Sequence, residues 1–285
     1  MKKNEAFKFF NSDYSIDRYT ELYKKVRLDK RYPANVKRLE IFINLLKKHK
    51  PKKIVDAGCG AGIPMISIKK KGFNIIGYDK AAGMVKEAKN NLIKYKMKDT
   101  LVFKDDFENP KLIKDKSVDC ILGMGAFFYA KDFKKTIRNQ VKKLKRNGRL
   151  IFSLRNQLFD VATLNYYTIN FLNQIYEVKK LKKNWKKRYN KLFGGFAKKK
   201  DYKTKNIDDE GVYSLTHNPL TIGNELIKIG LKCEGLYFYH FHPLPPVFES
   251  LDQMYFRKIS WKMENPNDWR GFLLASGFVV DCKKI

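Results

Sequence analysis

A run of alternating glycines between two acids carries the first chemical signal in this chain. Asp56, Gly58, Gly60 and Gly62 fall at every second position of Lys53-Ile-Val-Asp-Ala-Gly-Cys-Gly-Ala-Gly-Ile63, and Asp79 follows 19 residues after Gly60. Residues without a Cβ let a turn close tightly and let a ligand approach the main chain. An acid about 20 residues further on, ending the next strand, takes the ribose hydroxyls in nucleoside-binding α/β units. The spacing is Asp-x-Gly-x-Gly-x-Gly and not Gly-x-Gly-x-x-Gly. An acid ahead of the first glycine disfavours a pyrophosphate and suits a cationic or amino-acid-bearing ligand. Histidine is the second signal, because imidazole can take a proton near pH 7. His49 falls in a polar loop, but His217, His240 and His242 fall before or at the end of one late apolar run. They are the candidate general bases. His240-x-His242 on a strand turns both rings to one side, yet no acid motif accompanies it, so no metal is expected.

These groups need elements to hold them. Ile54-Val55 reads as a buried strand, Pro64 to Lys71 as a helix, and Phe73 to Tyr78 as a second strand ending at Asp79. A helix to about Lys96 precedes a third strand, Thr100 to Phe103. Ser117 to Leu122 is the fourth strand, and a helix from Phe133 to Leu144 ends in the turn Arg146-Asn-Gly-Arg149. Leu150 to Leu154 is the fifth strand, Leu231 to Tyr239 the sixth, after a helix from Leu220 to Ile229, and Gly271 to Val280 the seventh. The expected fold is therefore α/β, a Rossmann-like sheet of seven strands. It divides into an N-terminal helical layer (1–50), a nucleoside-binding half (51–156), a Lys- and aromatic-rich helical lid insertion (157–210) and the rest of the sheet (211–285). The last part carries a small helical insertion near 246–264. In the N-terminal layer Tyr19, Leu22, Tyr23, Val26 and Leu28, then Leu39, Phe42, Ile43 and Leu46, recur at near-helical spacing around Pro33.

The glycine turn, Asp79 and the strand order resemble motif I and the core of the class I S-adenosylmethionine (SAM)-dependent methyltransferases. That resemblance implies SAM as cofactor, with Asp56, Gly58 and Gly60 at its amino-acid end and Asp79 at its ribose. It also implies Met84 against the adenine, Asp106 accepting from the adenine amine (Asp105 as fallback), Phe107 as the apolar contact after it, and Met124 with Gly125 in the passage to the acceptor. Tyr14, Arg18 and Tyr19 are the candidates for an N-terminal flap over the cofactor. Arg155 at the end of the fifth strand, and Tyr166, Lys182 and Lys186 in the lid, are the candidate acceptor contacts. The lid, the Ser153-Leu-Arg-Asn156 strand end and the histidines are similar to sugar-modifying and surface-polysaccharide enzymes of that family. The implied reaction is O-methylation of a sugar, sugar nucleotide or phosphorylated glycan group, with polysaccharide biosynthesis as the setting.

Composition limits the partners. Of 60 Lys and Arg, 49 are Lys, and the net charge is +31. A positive field of that size favours an anionic acceptor, while the scarcity of Arg argues against a dedicated nucleic-acid reader. Residues 179–205 alone hold 12 Lys, one Arg and one acid, with Gly194-Gly195 as an expected hinge or turn. An RNA methyltransferase, a SAM-binding protein without catalysis and a membrane-surface protein are the rival readings. No stretch reaches the roughly 20 apolar residues of a membrane span. The N-terminus lacks a signal-peptide core, and the four cysteines show no metal spacing. The expected location is cytoplasmic.

Overall fold

The computed structural model describes residues 9–21, 23, 28–198 and 214–285. Leu22 and Val26 of the N-terminal pattern lie outside these residues, as do Asp209 and Glu210, two acids at the end of the expected lid insertion. The sheet consists of β1 (Ile54–Ala57), β2 (Ile75–Asp79), β3 (Val102–Lys104), β4 (Val118–Gly123), β5 (Leu144–Asn156), β6 (Thr216–His217), β7 (Leu231–Phe241) and β8 (Ala275–Lys284). Its order is β3-β2-β1-β4-β5-β8-β7, with β6 beside β5. β1 to β5 run parallel, and β8 runs antiparallel between β5 and β7. The order turns back between β1 and β4, and open α/β sheets bind ligands at the carboxyl ends of the strands at such a point.

The helices are α1 (Asp13–Glu21), α2 (Ala34–His49), α3 (Ile63–Lys69), α4 (Ala82–Lys94), α5 (Phe133–Lys143), α6 (Tyr166–Ile175), α7 (Lys183–Lys198), α8 (Ile222–Ile227), α9 (Gln253–Met263) and α10 (Gly271–Leu274). Successive strand residues face opposite sides of the sheet, and two cores follow from this. Ile54, Cys120, Leu122, Ile151 and Val279 pack with Phe42, Leu46, Met65 and Ile68 of α2 and α3. Val55, Ile121, Phe152, Phe278 and Val280 pack with Phe133, Ile137, Ile222 and Leu226 of α5 and α8. Buried on both faces, β1 is a continuous apolar run interrupted only by Asp56.

Four expectations are corrected. The seventh strand begins at Ala275 and not Gly271, because residues 271–274 form a short helix. The Asn156 side-chain amide donates to the carbonyls of Gly271, Phe272 and Ala275 at 2.8–3.1 Å and fixes that corner. The Arg146–Arg149 turn is a bulge inside β5, with Asn147 at φ 62°. Asn accepts that left-handed conformation. Gly194 and Gly195 are not a hinge but lie inside α7, where helix-forming Lys, Leu and Ala residues surround them. A two-residue strand, Thr216–His217, pairs with Arg155 and Asn156 and was not anticipated.

The far side of the sheet is tied by a buried carboxylate. Asp281 accepts from His49 Nε2 at 2.7 Å and from Arg149 at 3.2 Å, and Arg149 also pairs with Glu234. The Asp281 side chain is fully buried. Removing one member of such a network leaves charge without its partner, at a cost of about 3–5 kcal/mol. Urea unfolding of Asp281→Ala is expected to show a loss of that order, and a loss below about 1 kcal/mol would mean that the network contributes little.

Candidate active site

A cavity of about 500 Å³ opens where β1 and β4 diverge. At its floor the chain leaves β1 and turns through Gly58, Gly60 and Gly62, at φ 80°, 52° and 76°. These are left-handed conformations that side chains with a Cβ rarely adopt. At Gly58 a Cβ would also lie 2.6 Å from Ala126 Cβ, so β4's end packs directly on the turn. At Gly60 a Cβ would meet nothing within 4 Å, because that position faces the cavity. The turn is pinned to β2: Gly58 N and Cys59 N donate to Tyr78 O, and Gly60 N donates to Asp79 Oδ2 at 2.9 Å. Ala81 N donates to the other oxygen, Oδ1, at 2.9 Å. Burial raises the Asp79 pKa against these backbone donors.

Asp56 is the unusual group. Its side chain is buried, lines the cavity, and neither carboxylate oxygen has a hydrogen-bond partner. Burial, and then the charge of Asp79, push its pKa up to about 8, opposed by the guanidinium of Arg38. Arg38 is itself buried and donates to the Tyr23 hydroxyl at 2.9 Å. It packs so closely on Gly125 that a Cβ there would sit 2.7 Å from its Nη1. Met84, Ala61 and Ala81 form an apolar corner covered by Phe10, Ile16 and Tyr19 from the N-terminal layer.

The opposite part of the lining comprises Phe128, Tyr129, Lys131, Arg155, Tyr239, His240 and Ser276. The Arg155 guanidinium lies 4.8 Å from the Phe128 ring centroid and 5.9 Å from that of Tyr129. His240 stands at φ 62°, at the end of β7. Its Nδ1 is 2.7 Å from Ser276 Oγ, and Tyr32 stacks flat against its ring at 4.7 Å. The Tyr32 hydroxyl in turn donates to Glu264, which also accepts from Phe241 N. Burial and the neighbouring His242 hold the His240 pKa well below 6.5, so the ring is neutral at physiological pH.

Among the residues expected at the site, Asp56, Gly58, Gly60, Asp79, Met84, Phe107, Met124, Gly125, Arg155 and His240 line this cavity, with Arg18 and Tyr19 of the expected flap. The others do not. Asp106 turns into its own loop, accepting from Glu108 N at 2.9 Å and pairing with Lys80 at 2.6 Å. Asp105 caps Lys111 N and Leu112 N. His242 lies beneath Phe159 and Phe256, with Nδ1 3.0 Å from the His240 carbonyl. His217 packs on Phe133 with its Nε2 buried and unpartnered. Burial lowers both their pKa values to about 4. Tyr14 is exposed, and Tyr166, Lys182 and Lys186 stand on lid surfaces outside the lining. Glu108, Arg38, Tyr239 and Ser276 were missed. Arg38 left a signal: it shares the buried stripe of α2 with Phe42 and Leu45. The described residues include no group of three or more His, Cys, Asp or Glu that could hold a metal ion.

Residues 55–152 match the methyltransferase-domain family. The whole chain has the corresponding fold. It superposes on a magnesium protoporphyrin IX methyltransferase of Synechocystis PCC 6803 with bound S-adenosylhomocysteine, at a TM-score of 0.60, 14% identity and 99% coverage of both chains. It also superposes on a Thermotoga maritima SAM-dependent methyltransferase, a possible histamine N-methyltransferase, at 0.56 and 16%, covering 98% of this chain and 100% of the other. A ubiquinone biosynthesis O-methyltransferase of Coxiella burnetii is 28% identical over 165 residues, 56% of this chain and 64% of that protein. A Haemophilus influenzae protein is 28% identical over 146 residues, 50% of this chain and 57% of that protein. The chain thus matches less than two thirds of the length of these curated relatives. None of their names refers to a sugar.

The lining fits SAM on chemical grounds. Two orphaned carboxylate oxygens at Asp56 suit a cationic group, Gly60 leaves its side open, and Asp79 ends the second strand. Asp79→Ala removes a charged acceptor worth on the order of 1.5–3 kcal/mol, and Gly60→Val fills the open side. Calorimetry is expected to show each weakening SAM at least about tenfold, and unchanged affinity in both would separate this cavity from the cofactor. With the Asp56 pKa raised to about 8, a cation favours the ionised carboxylate, so its binding releases a proton. The wild-type advantage in SAM affinity over Asp56→Asn is then expected to grow as pH rises through about 8 and to flatten above it. A pH-independent difference would mean that Asp56 does not titrate on binding.

Proposed function

We propose that the protein transfers a methyl group from SAM to an oxygen of a small, flat acceptor that bears an acidic group. One observation carries this reading: a single cavity joins the glycine turn and Asp79 to a neutral histidine, an arginine and a set of aromatic rings. Bound there, SAM supplies an electrophilic methyl carbon on a sulfonium. Asp56 and the turn would hold its amino-acid end, Asp79 its ribose and Met84 its adenine. Phe128 and Tyr129 offer an aromatic wall for the acceptor, and Arg155 a charge for its acidic group. His240 would take the acceptor proton. In the tautomer that donates Nδ1–H to Ser276 Oγ, its Nε2 lone pair is the available base. The methyltransferase domain thereby supplies alignment as well as proton removal.

The aromatic lining is the reason to prefer a flat acceptor to a sugar. A sugar nucleotide or phosphorylated glycan is the second reading, favoured by the net charge of +31. A methyl-transfer assay over hydroxylated aromatic acids, sugar nucleotides, phosphorylated sugars and total RNA tests both. Turnover of the aromatic acids alone supports the first reading. Turnover of sugars or RNA alone replaces it, and SAM binding without any turnover leaves a binding protein.

A base acts in the transition state, so His240→Ala should lower kcat and kcat/KM together by roughly 10²-fold or more, with SAM affinity kept. The wild-type rate should fall only as acid protonates His240, on a limb well below pH 6.5, and the limb should vanish in the variant. His217→Ala and His242→Ala are expected to lower stability and leave kcat near wild type. An unaltered kcat in His240→Ala would remove the histidine from the mechanism.

A further inference from the structure

The lid carries a surface that the cavity does not use. Residues 177–198 contain eight Lys and one Arg against a single acid, Glu177. Within α7, Trp185, Tyr189, Leu192 and Phe193 recur at i, i+4, i+7 and i+8, which is one stripe of a helix. The stripe is divided between two roles. Tyr189 and Phe193 turn inward: their rings are 4.8 Å apart, and Tyr189 meets Tyr176 of the segment after α6 at 6.4 Å. Lys186 Nζ donates to Lys179 O at 2.7 Å and fixes the start of the helix. Trp185 and Leu192 instead face outward, 68% and 72% exposed. Lys182, Lys183, Lys187, Arg188 and Lys191 are exposed as well.

We infer that this face of α7 docks on an anionic lipid bilayer. Scattered exposed apolar residues are normal, but here a Trp and a Leu two turns apart share one line beside Arg188, and Lys183, Lys187 and Lys191 fall on the opposite side of the helix. That is the pattern of an amphipathic helix lying in the plane of a membrane interface, with Trp at headgroup depth and a cationic polar face drawn to the anionic headgroups. RNA fits less well. A single-strand reader stacks bases on aromatic rings and favours Arg, whereas this surface offers Leu192 and one Arg beside four exposed Lys.

Flotation of the full chain with phosphatidylcholine vesicles, with and without an equal part of phosphatidylglycerol, tests the inference without reference to any acceptor. The wild type should float with the anionic vesicles, not with phosphatidylcholine alone, and less at raised salt. Two variants are informative: Trp185→Ala with Leu192→Ala, and Lys182, Lys183, Lys187 and Lys191→Gln. All these side chains are exposed, so circular dichroism and SAM binding should report an intact fold. Each variant is expected to lower partitioning at least about tenfold. Three results would overturn the assignment. The first is no flotation of the wild type. The second is full flotation of the Trp185/Leu192 variant, which reduces the surface to unspecific charge. The third is an RNA that displaces the protein from vesicles and whose binding needs the lysines but neither Trp185 nor Leu192.

Discussion

An acid buried without a partner at the end of β1 sets the terms for the rest of the site. Asp56 interrupts an otherwise apolar strand at the switch point, where desolvation is severe. The surrounding structure only moderates that cost. Arg38 brings positive charge near it, yet the guanidinium donates to Tyr23 and packs against Gly125. Asp79 adds negative charge from the neighbouring strand. A cation delivered into the cavity would resolve the imbalance, and the glycine turn leaves the path to it open.

The part of this arrangement that was legible in the sequence is the part made by neighbours in the chain. The turn, Asp79 and the parallel strands follow from a local pattern of glycines and apolar runs. Arg38, Tyr239 and Ser276 reach the cavity from α2, β7 and β8, and only tertiary packing brings them together. A polar residue on the buried stripe of α2 was a visible anomaly, but its destination is set by packing between distant elements. The histidines show a second limit. His240 and His242 do share one side of β7, with rings 4.4 Å apart, yet depth separates them: Phe159 and Phe256 cover His242. Asp106 was misplaced for a smaller reason, since two adjacent loop acids compete for backbone donors and their side chains turn to whichever donors the loop presents.

Charge density was the least informative signal. The Lys-rich stretch suggested acceptor contacts, but its exposed lysines lie outside the lining of the cavity. A helix's charge does not disclose which way it faces. Its apolar stripe does, and in α7 that stripe is only half satisfied by the lid's own packing.

The position of β8 has a consequence for synthesis. β8 is translated after β7 but lies between β7 and β5, so β7 has no hydrogen-bonding neighbour until β8 has left the ribosome. Until then Phe238 and Phe241, both buried in the finished core, have no sheet to cover them. The parallel half, β1 to β5, can form earlier, since its strands pair with one another and only the outer edge of β5 waits for β8. The nascent chain therefore passes through a stage in which the cofactor turn is built while its His240 wall is not, and an adhesive apolar strand trails behind. That interval is when holdase chaperones would find their substrate.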